Sequence, residues 1–67
     1  MSRNVEEIKL LQQKFCFFKW KIRKFEKYRA QQKIAGNKNT VEYAEKNIKA
    51  YEAAIDTCQK RISELMG

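Results

Sequence analysis

A chain of 67 residues forms one small domain at most. A chain this short buries too little of its surface to be comfortably stable without a disulfide, a metal or a partner. It carries no histidine and two cysteines, which excludes the usual zinc-ligand sets, and its formal charge is +7.

The first predicted element runs from about residue 4 to residue 35 with no proline or glycine to break it. Ser2 or Asn4 is suited to cap it, with Glu6 and Glu7 in the first turn where the helix dipole favours anions. At about 1.5 Å per residue this helix is about 45–50 Å long. Apolar side chains recur at alternating steps of three and four: Ile8, Leu11, Phe15, Phe18, Ile22 and Phe25, continued by the polar Arg29 and Gln32.

A turn is expected over 36–39. Gly36 fits the position just past a helix end, where positive φ is needed. Asn39 is then expected to cap the second helix, with Glu42 three residues later completing a capping box. That helix, about 40–66, repeats the pattern in Val41, Ala44, Ile48, Tyr51, Ile55, Cys58, Ile62 and Leu65. Glu42–Lys46, Glu45–Lys49 and Asp56–Lys60 are acid-first pairs spaced to support it.

Folding the chain at Gly36-Asn37 brings the two series into layers whose residue numbers sum to 73, from Gln32 with Val41 to Ile8 with Leu65. One register kept over so many layers predicts an all-α antiparallel two-helix hairpin, a single domain over 1–67. The polar layers near the turn predict looser packing there than in the aromatic middle, with the stem of Arg29 covering Ala44.

Cys58 lies on this seam, whereas Cys16 points about 100° away from its seam neighbour Phe15. A bridge is awkward, and both thiols read as buried small residues. Without an apolar leader or a long apolar run, the expectation is a soluble, cytoplasmic chain with no membrane span.

All the surplus charge belongs to the first half: ten basic residues against three acids through Ala35, then five against five. Catalysis finds no support. Histidine is absent, the serines Ser2 and Ser63 lie near the chain ends, the carboxylates are dispersed, and a two-helix hairpin offers no enclosed pocket. The expectation is a non-enzyme without cofactors.

A second apolar stripe demands explanation. Leu10, Phe17 and Trp20, with Cys16 alongside, share a face outside the seam, and a single hairpin cannot bury both faces. On the second helix Tyr43, Ala50, Ala53 and Ala54 form a smooth off-seam surface. Three readings stay open for the first-helix stripe. It docks protein, as a four-helix bundle or against another helical protein. It binds RNA or DNA, with Arg23, Lys24 and Lys27 continuing the face towards phosphates. Or it lies on a membrane surface, as the cationic aromatic run Phe17 to Lys24 allows. Phe18 and Ile22 already serve the seam, which weighs against the membrane, and no recognised nucleic-acid motif accompanies the charge.

The second half also resembles a known family. Gly36-Asn37, followed thirteen residues after the glycine by Lys49-Ala50-Tyr51-Glu52-Ala53-Ala54-Ile55, is similar to the YscE/PscE-like E-subunit needle co-chaperones of type III secretion systems. One member carries Lys-Ala-x-Glu-x-Ala-Ile at the same distance from its turn glycine. The resemblance implies a cytoplasmic helical hairpin that binds a TPR-like G-subunit. That pair keeps the aggregation-prone needle subunit soluble before export. The sequence therefore predicts a protein-binding module acting through Leu10, Phe17, Trp20, Lys24, Lys27, Tyr43, Ala50 and Ala54. The alternative is a small basic homodimer that binds nucleic acid.

Overall fold

The computed structural model describes residues 2–67, with side chains from Asn4 onward. Helix α1 spans Ser2–Ala35 and helix α2 spans Lys38–Met66. They fold back on each other as the expected all-α hairpin, a rod of 52 × 14 × 12 Å. The long axis is that of α1, since 34 residues at about 1.5 Å each give about 51 Å.

Each helix begins two residues earlier than expected; α1 ends at Ala35 as expected, and the early start of α2 leaves Gly36 and Asn37 as the whole connection. Gly36 adopts φ +78°. Its N–H donates to Lys33 O at 3.2 Å, and the Asn37 N–H donates to Gln32 O at 3.0 Å. This paired closure satisfies two carbonyls that the helix end would otherwise leave open. The usual apolar contact across such a turn is replaced by a polar one, in which Asn37 Nδ2 donates to Gln32 Oε1 at 2.9 Å. The Thr40 hydroxyl reaches the same oxygen at 2.8 Å and Asn37 O at 3.0 Å, and its single proton favours the shorter contact.

The capping expectations are corrected here. The chain re-enters the helix at Lys38, so Asn37 holds the N-cap position in an extended conformation and Asn39 lies inside α2. The Asn37 side chain makes no capping bond; its Nδ2 donates to Gln32 Oε1 instead. Asn4 likewise lies inside α1, and the first turn of α1 holds no acid because the helix begins at Ser2, ahead of Glu6 and Glu7. Of the three spaced ion pairs, Asp56–Lys60 closes at 3.1 Å; Glu42–Lys46 and Glu45–Lys49 are not closed among the described residues.

The seam follows the expected register. Every seam position on both helices is buried or half-buried, while the residues pointing away are exposed. Tyr51 reports the register directly. Facing Ile22 by position, its ring lies 5.7 Å from Phe18 and 6.0 Å from Phe25, one turn to either side. Near the turn burial is uneven: Ala44, in the layer of Arg29, is fully buried, while Arg29, Gln32 and Val41 are half-buried; Ile48 and Cys58 are the other buried side chains among the described residues. A methyl side chain lets the helices approach closely, and the half-buried Arg29 lies over it by register.

The two flanks of the seam differ. On one, Lys21, Tyr28, Thr40, Asn47 and Ala54 are half-buried, and Arg61 crosses to Glu7 near the open end. On the other, Lys19, Glu26, Glu45, Glu52 and Gln59 are all exposed. Glu26 and Glu52 line the same shallow hollow there, together with Lys19 and Arg23.

Candidate docking face on α1

Leu10, Phe17 and Trp20 fall at the two heptad positions opposite the seam, so helix geometry carries them to the side of α1 that α2 cannot reach. Their exposures are 58%, 48% and 49%. Burial on the seam uses up the apolar residues on one side of α1, and this stripe is what remains on the other. Lys24 and Lys27 continue it towards the turn and are exposed.

The aromatic groups of the stripe touch each other. Phe17 and Trp20 have ring centroids 6.2 Å apart, and Phe17 also meets the seam ring Phe18 edge-on at 5.9 Å. Through Phe18 the outer aromatics rest on the seam and are held in place. Two ammonium groups sit over the same rings. Lys24 Nζ lies 4.7 Å from the Trp20 centroid, and Lys21 Nζ lies 5.6 Å from Trp20 and 5.8 Å from Phe17. All three are within cation–π range. Trp20 with Lys24 and Phe17 with Lys21 are four residues apart, the spacing that stacks side chains on one helix face.

Beyond Trp20 the face becomes an open hollow lined by Trp20, Arg23, Lys24, Lys27, Tyr28 and Gln31, with Glu26 the one acid among three cations. Sequence reasoning singled out Trp20, Lys24 and Lys27 but missed Lys21, whose four-residue spacing from Phe17 was the available signal. It also missed Tyr28, which stands on the covered flank.

Of the second-helix residues, Tyr43 borders this face, lining a shallow hollow with Lys21, Lys24, Phe25 and Tyr28, whereas Ala50 and Ala54 line neither hollow beside it. Tyr43 is 57% exposed, and its ring packs edge-on against Phe25 at 6.0 Å, beside the seam. Ala50 and Ala53 are exposed, while Ala54 is half-buried on the covered flank. Cys16, expected to be buried, is exposed beside Phe17 because it falls outside the seam; Cys58 is buried, and both thiols are free.

The described residues contain no cluster of His, Cys, Asp or Glu suited to a metal ion, and no helix long and apolar enough to cross a membrane. The guanidinium of Arg61 has its pKa raised, first by hydrogen bonds to Glu7 and Glu64. It serves the hairpin's open end rather than this face. Fold and face together define a small helical hairpin with one side used for folding and an aromatic, cationic side left free. No family model, curated protein or solved structure matches this chain.

Proposed function

We propose that this chain is a non-enzymatic protein-binding module whose outer α1 face packs against the helices of a partner. The observation that carries this reading is the exposed stripe of Leu10, Phe17 and Trp20 on a helix whose other side is already engaged. The particular role proposed is that of a type III secretion co-chaperone. It would pair with a TPR-like G-subunit and so keep the needle subunit soluble before export. The spacing of Lys49 to Ile55 from Gly36 supports that role, and a cytoplasmic location goes with it.

Magnitudes constrain how such a face binds. A Phe or Trp buries about 150–250 Å² when covered, and about half of that is still open on Phe17 and Trp20. At about 25 cal/mol per Å², covering the rest contributes about 2–3 kcal/mol for each ring. With Leu10 the stripe supplies about 6 kcal/mol, which only matches the lower range of association costs, about 4–15 kcal/mol. Polar contacts around the stripe must therefore supply the net affinity.

The test is affinity purification of the tagged chain from its native host, beside Trp20→Ala, with the bound protein identified and titrated by calorimetry. Binding is expected to weaken in Trp20→Ala while circular dichroism shows an unchanged helix content. Recovery of a TPR-like subunit supports the co-chaperone role; a different helical protein leaves the binding module alone standing. Equal affinity for both chains sinks the proposed face. The second reading, a basic homodimer that binds RNA or DNA, draws on the location of all surplus charge in α1. A gel shift that weakens steeply with salt would favour it.

A further inference from the structure

We infer that the occupant of the outer α1 face is an acidic amphipathic helix of another protein. This rests on the protein-docking reading above and names the chemistry of its partner. The first support is area. A compact monomer of 8.0 kDa exposes about 4,450 Å² by the usual scaling of surface with mass. This chain exposes 5505 Å². The surplus of about 1,000 Å² comes with the elongated 52 × 14 × 12 Å shape, which offers a face long enough for the about 800 Å² that one protein contributes to a standard interface.

Charge decides what fits. A second copy would bring two α1 helices together, each carrying the whole +7 excess of its chain. Like charges facing each other across a contact are strongly unfavourable, so the face repels its own kind. An acidic helix meets the opposite situation. Leu10 to Trp20 offers three turns of apolar contact, and Arg23, Lys24 and Lys27 offer cations over the next two. Lys21 and Lys24 are held against the aromatic rings, so their ammonium groups are already placed at the edge of the apolar stripe. A helix with apolar residues at heptad spacing and flanking carboxylates would cover the rings and pair these cations together.

Nucleic acid and membranes fit less well. The basic residues of α1 surround the helix, with Lys14 and Lys21 on one flank, Lys19 and Lys33 on the other and Arg29 in the seam. A phosphate track would call for one continuous basic stripe. A membrane-surface helix would call for its broadest apolar face outward, and here that face is the seam against α2.

Trp20 is the only tryptophan, so its emission reports on this face alone. The probes are three tryptophan-free 21-residue amphipathic peptides with leucine at heptad positions a and d. They carry glutamate, glutamine or lysine at e and g. A 20-nucleotide single strand and vesicles of phosphatidylcholine with phosphatidylglycerol complete the set. The glutamate peptide is expected to shift Trp20 emission to the blue saturably, with the glutamine peptide about tenfold weaker, the sum of several exposed ion pairs. Added salt should remove that difference. The double variant Lys24→Glu, Lys27→Glu, altered only at exposed positions, should lose the glutamate peptide and gain the lysine peptide. Equal binding of the glutamate and glutamine peptides overturns the inference and leaves the docking reading in place. A response to the oligonucleotide or vesicles without one to any peptide overturns both, as does no response to any probe. A Trp20 emission that shifts with protein concentration overturns the inference in favour of a second copy.

Discussion

The Arg61 guanidinium meets both carboxylate oxygens of Glu7, Nε donating at 3.1 Å and an Nη at 3.4 Å, across 54 positions of chain. No other ion pair among the described residues joins the two helices; Asp56–Lys60 and Arg61–Glu64 are local to α2. It lies far from the turn, near the open end of the hairpin, on the same flank as the half-buried Lys21, Tyr28, Thr40, Asn47 and Ala54.

The first prediction concerns this pair. Both side chains are nearly half exposed, so each contributes little to global stability. The expected effect is local. Glu7→Lys should raise amide exchange over residues 5–12 and 58–65 while the middle of the hairpin stays protected. The exchanged pair, Glu7→Lys with Arg61→Glu, should recover the protection. On the arginine side no pH dependence is expected in ordinary buffers. A group whose pKa is raised on folding contributes below its unfolded value and loses that contribution only as pH climbs through the folded one. For a guanidinium that window lies above the working range.

The thiols give a second, inexpensive prediction. Cys16 is exposed and Cys58 is 6% exposed, so a thiol reagent should label one equivalent quickly and the other at a rate set by opening of the hairpin. Cys16→Ser should abolish the fast phase and leave the slow one. Two fast equivalents would mean that the seam around Cys58 opens freely.

The seam was readable because period and register are arithmetic properties of the chain: from Ile8 to Leu65, each position said to face inward does so. Tyr51 between Phe18 and Phe25 follows from its pairing with Ile22 alone. The turn was less readable, because several residues compete to end one helix and start the next. Asn39 and Asn37 are equally good caps by composition. The structure puts the N-cap at Asn37, whose side chain bonds Gln32, a polar residue that the apolar pattern marks only as a flaw. The docking face was visible as leftover residues in α1, where the helix wheel is unambiguous. The α2 candidates were not resolved by that wheel: Ala54 and Tyr43 lie off the seam yet close enough to be half covered or to touch Phe25.

Burial predicts a third contrast. Ile48 is 6% exposed and Ile34 is 90% exposed, with the same side chain on facing helices. Truncating a buried isoleucine costs about 2–5 kcal/mol. A chain of 67 residues has a total stability of about 3–10 kcal/mol. Ile48→Ala should therefore lower the melting temperature by about 10 °C or more and leave part of the chain unfolded at room temperature. Ile34→Ala should change stability by no more than about 0.5 kcal/mol. Thermal melts followed by circular dichroism separate the two, and equal losses would contradict the placement of the seam.

The last prediction returns to Gly36. A Cβ built there meets nothing within 4 Å, so crowding does not enter. What remains is the backbone: φ is +78°, where a side chain costs about 1–2 kcal/mol. Gly36→Ala should lower the melting temperature by about 4–8 °C per kcal/mol lost, with the helix content of the folded chain unchanged. Gly36→Asn should lose less, because a short polar side chain tolerates this conformation better than alanine does. If alanine proved neutral, the closure from Gly36 N–H to Lys33 O and from Asn37 N–H to Gln32 O would have to re-form at negative φ. That would lengthen the connection and move the re-entry point of α2 away from Lys38, changing the amide protection of residues 36–41.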